Sequence, residues 1–316
     1  MATEHRPDHP SLKTAVLFII FNRPDTTKQV FDAIRQAGPL KLFIAADGPR
    51  KDRPGEAEKC ADARDIATAV DWECAVETLF QNDNLGCKIA VSNAITWFFE
   101  NVKEGIILED DCLPTPTFFR FCQELLYCYR HDQRIGMISG DNFQSGNYRN
   151  DDSYYFSKYV HIWGWASWRD RWDRSYDVNM TKWPRIRDEG WLADMVGDPS
   201  EAGYWQTIFE RVHRDEINTW DYQWIFANWL EGWLSITPTV NLVSNIGFGE
   251  NATHTKLRSA FSGMKTDEIS FPLKHPLFMV RNATADFYTS RMMFYRPLWK
   301  RIAMNFRNFF VKKDNE

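Results

Sequence analysis

Gly105-Ile106-Ile107-Leu108-Glu109-Asp110-Asp111 runs from an apolar stretch straight into three carboxylates, with no polar spacer between them. Residues 105–108 read as a strand buried on both faces. Three adjacent acids repel one another, and they are costly at a buried strand end unless a cation or hydrogen bonds compensate. Their hard oxygens suit Mg2+ or Mn2+ shared with phosphate groups. The plainer alternative is an acidic helix start, because acids favour that end of the helix dipole. The position of the triplet, at the end of a fourth buried strand, weighs against that alternative.

Upstream the same arrangement recurs. Residues 14–21 form a continuous apolar run that ends on Asn22-Arg23. Pro24-Asp25-Thr26-Thr27 then opens a helix to about Ala37, where Gly38-Pro39 stops it. A second strand over 40–46 ends on Asp47-Gly48-Pro49, and residues 56–70 read as a helix. Residues 75–81 make a third strand, 82–86 a turn-rich loop and 89–101 a helix. Downstream of the triplet, 118–129 is an apolar helix and 135–139 a further strand. Strand–helix units at this spacing predict an α/β fold, a mostly parallel Rossmann-like sheet with helices on both faces. Ligands in such sheets bind beyond the carboxyl ends of the strands. Asn22-Arg23, Asp47-Gly48 and Glu109-Asp110-Asp111 should therefore converge on one crevice.

After Asn142 the pattern changes. Residues 154–168 are aromatic and punctuated by glycine, 203–212 and 223–232 look helical, and 234–243 looks like one strand. No repeat or Pro/Ser-rich linker divides the chain. The expected organisation is an N-terminal tail (1–13), one catalytic domain (14–289) and a basic C-terminal helical appendage (290–316).

Composition sets outer limits. The chain has 316 residues, 44% hydrophobic and 15% aromatic, enough for a substantial core. Its 14 Trp residues fit a generous core plus a pocket that stacks on rings. Net charge is −5, which argues against general nucleic-acid binding. From Ser290 onward there are seven Lys/Arg against two Asp/Glu, so this end is +5 and the remainder −10. The six Cys residues include no C-x-x-C pair, and reduced thiols are expected. The longest apolar run, 15–21, is far too short to span a bilayer, and residues 1–13 lack a secretory core. The expected compartment is the cytoplasm.

Read as residues alone, Asp47 is either a contact for ribose or a base N–H, or an Asp-Gly turn. Arg23 either stacks on a base or pairs with phosphate, or forms a surface ion pair. Asp221, in Thr219-Trp220-Asp221-Tyr222, is a general base, a helix cap, or both. Glu201, Asp215 and Glu231 are weaker candidates for the base.

Four segments, Ile19-Ile20-Phe21-Asn22-Arg23-Pro24, Ala46-Asp47-Gly48, Asn84-Leu85-Gly86-Cys87-Lys88-Ile89-Ala90 and Leu108-Glu109-Asp110-Asp111-Cys112, occur in the order and spacing of GT-A nucleotide-diphospho-sugar transferases. The chain resembles N-acetylglucosaminyltransferase I and its bacterial relatives from about Thr14 to His254. The resemblance implies that Asp111 ligates Mn2+ directly, while Glu109 and Asp110 hold metal waters and ribose. It implies that Arg23 and Asp47 contact the nucleotide. Trp163, Gly164 and Trp165 resemble the segment that closes over the donor sugar, and Trp220-Asp221 resembles the pair whose carboxylate is the catalytic base. Residues 243–254 resemble the loop that orders over the diphosphate, with His254 as a further metal ligand. Phe21, Asn22, Gly48, Gly86 and Lys88 fall in the matching donor-binding segments. The implied activity is metal-dependent transfer, with inversion, from a nucleotide-diphosphate sugar, by expectation UDP-linked, to a glycan or lipid-linked glycan. A histidine of the family's nucleotide site falls near Ser92 here, and the animal enzyme's membrane anchor and stem have no counterpart.

Two other classes share parts of this pattern. A sugar-phosphate nucleotidyltransferase would carry a Gly-rich basic loop where this chain has Asn22-Arg23-Pro24-Asp25. A non-catalytic sugar-binding protein has no need of the intact acid triplet. Finally, residues 297–310 place Leu298, Ile302, Phe306 and Phe309 on one stripe, with Lys300, Arg301 and Arg307 off it. That pattern suits an anionic membrane surface, such as the inner membrane face, or a helix docked on the domain or on a second subunit.

Overall fold

A computed structural model describes residues 12–147, 149–247 and 263–294. The first strand, β1 (Ala15–Ile20), is buried throughout. Val16, Phe18 and Ile20 pack in one core and Ala15, Leu17 and Ile19 in another, so both faces of the strand are covered. Helix α1 (Pro24–Ala37) starts at a proline and ends where Gly38 turns left-handed at φ 59°, its N–H donating to the Ile34 carbonyl at 3.0 Å. Its Val30, Phe31 and Ile34 cover the first face. The chain continues through β2 (Lys41–Ala46), α2 (Glu56–Thr68), β3 (Ala75–Phe80), α3 (Cys87–Asn101) and β4 (Glu104–Glu109). Helix α3 buries Val91, Ala94, Ile95, Phe98 and Phe99 against the opposite face. All these elements lie where the periodicity predicts, within a few residues.

After the acid triplet come a short β5 (Cys112–Pro114), α4 (Pro116–Tyr129) and β6 (Ile135–Ser139). The aromatic stretch 154–168 resolves into two strands, β7 (Tyr154–Ser157) and β8 (Trp165–Trp168), which do not pair with each other. Four helices follow: α5 (Arg169–Ser175), α6 (Trp183–Asp188), α7 (Leu192–Val196) and α8 (Pro199–His213). Next are α9 (Asp221–Leu230), β9 (Leu234–Pro238), β10 (Val243–Asn245) and α10 (Ala283–Met293). The single strand expected over 234–243 is therefore two. Strand β9 ends at Pro238, which has no N–H for a ladder, and the chain then crosses to pair β10 with β5.

Eight strands form one sheet in the order β3-β2-β1-β4-β8-β6-β9-β7. The first four are parallel, as is the β6–β9 pair, while β8 and β7 run antiparallel to their neighbours. This is a mostly parallel, Rossmann-like α/β sheet with helices on both faces. Register fixes what meets at its edge. Ile20 pairs with Ala46 and Ile19 with Glu109, so Phe21, Asp47 and Asp111 emerge level with one another, with Asp110 one step behind. Ser139 pairs with Trp165, which brings Asp141 and Trp163 to that same edge. Helix α10 crosses the expected boundary at 289/290. Its Ser290 hydroxyl donates to Glu201 at 3.0 Å, and Phe294, just beyond it, packs 4.8 Å from Trp205. No helix among the described residues is long and apolar enough to cross a membrane.

Candidate functional site

A cavity of about 940 Å³ opens at the carboxyl edge of the sheet. Of the residues expected there, Phe21, Arg23, Asp47, Gly86, Glu109, Asp110, Asp111, Trp163, Trp220 and Asp221 line it. Asn22, Gly48, Lys88, Gly164 and Trp165 do not.

The acid triplet is held by the end of β1. Asp110 is 2% exposed and accepts from the Phe21 backbone N–H at 3.0 Å. Arg23 forks across the triplet, one guanidinium nitrogen on Asp110 and the other on Asp111 at 2.8 Å. Burial lowers the Arg23 pKa, but the charges of Asp110 and Asp111 outweigh it and leave the guanidinium above its ordinary range. Burial and the neighbouring Asp111 and Asp110 charges hold Glu109 above the usual carboxylate range. Burial does the same to Asp110, with Arg23 opposing. Three carboxyl groups thus face one cation, a surplus of negative charge at the cavity wall. Arg23 is taken up by the acids, which competes with its expected contact to a base. Gly247 closes over the pair: a Cβ there would lie 2.1 Å from Asp111 Oδ2 and 2.5 Å from Arg23.

Asp47 sits in the cavity wall, yet its carboxylate is already occupied. It accepts from the N–H groups of Gly48, Leu85 and Gly86 and from the Asn84 amide, at 2.8 to 3.0 Å. It clamps loop 84–86 to β2. Gly48 belongs to this clamp and not to the cavity, because a Cβ there would lie 2.4 Å from the Asp83 backbone. Asn22 turns away to Glu56 at 2.8 Å. Lys88 is 9% exposed and pairs with Asp215 at 2.5 Å, so its ammonium is engaged by loop 214–218. Its neighbour Cys87 does line the cavity. Burial first, and then the charges of Glu109, Asp221, Asp47 and Asp111, push that thiol up.

The opposite wall comes from the second half of the chain. Trp220 is 2% exposed and stacks on Trp165 with ring centroids 5.8 Å apart. Trp165 is a core residue against Trp172 and Trp224. Gly164, at φ 66°, packs on Val243 and Leu108. Asp221 is the first residue of α9, with Trp220 in the cap position, and it accepts a hydrogen bond from the Thr219 hydroxyl. It therefore faces the cavity from the positive end of a helix.

Several other lining residues stand outside any motif of the sequence. Arg50 lies over the Phe21 ring at 5.5 Å and pairs with Glu56. Phe143 packs 4.8 Å from His161 and 5.3 Å from Trp163. Burial pushes His161 down to about 3, so its ring is neutral at ordinary pH. Asp141 is 1% exposed and its Oδ1 has no hydrogen-bond partner among the described residues. Burial holds it well above the carboxylate range, against N–H groups of its own backbone and Trp163. The signal was its place just past β6, on an edge whose direction only the sheet order reveals.

No group of three or more His, Cys, Asp or Glu side chains is arranged as a metal cage among the described residues. The donor set at the end of β4 is Asp111, paired with Arg23, beside Glu109 and the buried Asp110. That fits a cation whose other positions are filled by phosphate oxygens and water, the usual way Mg2+ is held. His254 lies outside the described residues, as does the stripe over 297–310. All six cysteines are unpaired.

No protein-family model matches the chain, and no curated protein matches it. Among solved structures, a UDP-glucose pyrophosphorylase complexed with UDP-glucose aligns at 10% identity and a TM-score of 0.28, over 46% of this chain and 67% of that one. HddC from Yersinia pseudotuberculosis aligns at 9% identity and a TM-score of 0.29, over 50% of this chain and 77% of that one. At TM-scores below 0.5 such overlaps fix neither a family nor an activity.

Proposed function

We propose that this chain is a metal-dependent GT-A type glycosyltransferase. It would move a sugar from a nucleotide-diphosphate donor, by first expectation UDP-linked, to a hydroxyl of a glycan or glycolipid, with inversion. One observation carries the reading: Asp111, beside the buried Asp110–Arg23 pair, and Asp221, at the start of α9, line the same cavity. A single carboxylate suited to a metal–diphosphate and a second suited to a general base are the two groups an inverting transfer needs.

Mn2+ or Mg2+ held through Asp111 would neutralise the charge that builds on the departing nucleotide diphosphate. Arg23 and Asp110 fix Asp111 in place. Phe21 and Arg50 offer an aromatic face and a cation to the nucleotide. Asp221 takes the proton of the acceptor hydroxyl as that oxygen attacks the anomeric carbon from the side opposite the diphosphate. The Thr219 hydroxyl and the Trp220–Trp165 stack orient the base. Phe143, Trp163 and neutral His161 give the sugar ring an apolar wall with one polar edge. The segment closing over Asp111 at Gly247 limits water, which favours transfer over hydrolysis.

The test is a panel of UDP-, GDP- and dTDP-sugars with Mn2+ and candidate glycan acceptors, read by nucleoside diphosphate release and by the anomeric configuration of the product. Metal-dependent release with inversion is expected. Retention of configuration, or full turnover in excess chelator, contradicts the reading.

A further inference from the structure

A second cavity, of about 730 Å³, lies at the amino edge of the sheet, opposite the first. Three neighbouring strands, in the order β2-β1-β4, begin there. Each brings a lysine: Lys41 opens β2, Lys13 precedes β1 and Lys103 precedes β4. Ala15 pairs with Gly105, so Lys13 and Lys103 stand level on strands about 5 Å apart. Helix α4 supplies the facing wall. Its Arg120, Gln123 and Tyr127, three and four residues apart, share one face, and Arg130 follows at the helix end.

The lining carries five cations against two acids, Glu104 and Glu124. Glu104 is taken by Arg130, at 2.7 and 2.6 Å, and Glu124 faces His275 at 3.7 Å. Of the acids on adjoining segments, Asp132 is held by Arg134, and Glu268 accepts from the Thr117 N–H at 3.1 Å. Glu73 and Glu100 stand outside the lining. Among the described residues, Lys13, Lys41, Lys103 and Arg120 form no ion pair. The end of α3 does not account for them either, because Arg169 already binds its Glu100 and Val102 carbonyls, each at 3.1 Å. Unpaired like charges around one cavity repel one another, and an anion relieves that repulsion.

The donors indicate which kind of anion. A phosphate group favours an Arg fork or the N–H groups of a helix start. Here the Arg130 fork is spent on Glu104, and Arg120 lies over the Phe271 ring at 3.9 Å. Helix α3 meets the cavity with its C-terminal end, and the Lys13 and Thr14 N–H groups donate to Gln123 Oε1 at 2.9 and 3.2 Å. What remains is a set of separate ammonium groups and the Tyr127 ring, 72% exposed. Separate point charges match single carboxylates spaced along a ligand, and an exposed aromatic face matches the apolar face of a sugar ring. The volume is that of a ligand of drug size, not of a lone oxyanion. We propose that this cavity binds an acidic oligosaccharide, with its carboxylates on Lys13, Lys41 and Lys103 and one sugar ring on Tyr127. The site is separate from the carboxyl-edge cavity and does not depend on the transferase reading.

The test is calorimetry of the full chain at low salt in EDTA, with tetragalacturonate, tripolyphosphate and neutral maltotetraose as probes. The wild type should bind tetragalacturonate in preference to the other two, and added salt should weaken it. Lys41→Ala/Lys103→Ala, whose side chains are exposed and whose melting temperature should match wild type, should bind about tenfold or more weakly. Tyr127→Ala should bind about threefold or more weakly. Asp111→Ala, in the other cavity, should bind as the wild type does. A wild type that ignores tetragalacturonate overturns the proposal, and so does a double lysine variant that binds it equally well. Loss of binding in Asp111→Ala would move the glycan to the carboxyl-edge cavity, and a preference for tripolyphosphate would assign the amino-edge cavity to a phosphate ligand; either result overturns the proposal.

Discussion

Asp47 and Asp141 stand just past the carboxyl ends of two buried strands, β2 and β6, in the wall of one cavity, and they differ in how they are bound. Asp47 accepts four hydrogen bonds from the loop it clamps, while Asp141 keeps an oxygen with no partner among the described residues. A carboxylate that the fold has already satisfied stabilises the fold. One left open costs stability and is free to meet a ligand. Asp111 and Asp221 line the same cavity in a third way, Asp111 paired with Arg23 and Asp221 accepting from the Thr219 hydroxyl. Substitutions should therefore separate: Asp111 and Asp221, placed for the proposed chemistry, should affect activity, while Asp47 and Asp141 should affect stability, in opposite directions.

The largest effect should come from Asp111→Ala. Turnover should fall by about 10⁴-fold or more, as expected if several kcal/mol of charge stabilisation is lost, while circular dichroism and melting stay close to wild type. An active variant would move Asp111 to the structural side of the comparison. Asp221→Asn keeps size and most hydrogen bonding but loses basicity. Turnover should drop about 10²- to 10⁴-fold, with donor affinity by calorimetry little changed. Near-normal turnover would leave Asp221 as a helix-start charge and nothing more.

Asp47→Ala should act mainly on the fold. It removes the acceptor of three backbone N–H groups and leaves the Asn84 amide only the Gly48 carbonyl, at a cost of about 2–3 kcal/mol by denaturant melts. A loss of nucleotide affinity at full stability would show that the clamp reading is wrong. The smallest effect is expected at Asp141. Its folded pKa is raised, so its contribution is fully present below its unfolded value of 3.8 and is lost as pH rises. Asp141→Asn should therefore be the more stable protein at about pH 8, by about 1 kcal/mol, with the gap narrowing towards about pH 5. A gap that does not change with pH would mean that the Asp141 carboxyl ionises freely.

Much of this molecule is legible in its sequence where neighbours along the chain decide the outcome. Buried runs, helix starts at proline and acids placed directly after strands fixed the first half and located Asp111. What escaped depends on partners far along the chain. Lys88 looks like a donor-binding residue until Asp215 is seen beside it, and Trp165 looks like part of a segment over the donor sugar until Trp172 and Trp224 enclose it. A motif names residue types, but it cannot say whether a hydrogen-bonding group is already in use. Asp141 was missed for a topological reason. The strand that precedes it became part of the ligand edge only through the β8 insertion, which the aromatic stretch 154–168 does not announce.

The most direct test of the central claim is nucleotide-sugar binding measured by calorimetry, for wild type and Asp111→Ala, with Mn2+ and with chelator. The account predicts that at least one nucleotide-diphosphate sugar binds the wild type with Mn2+, and that binding is lost both in chelator and in the Asp111 variant. Binding that survives both, or no binding by any donor, would contradict it.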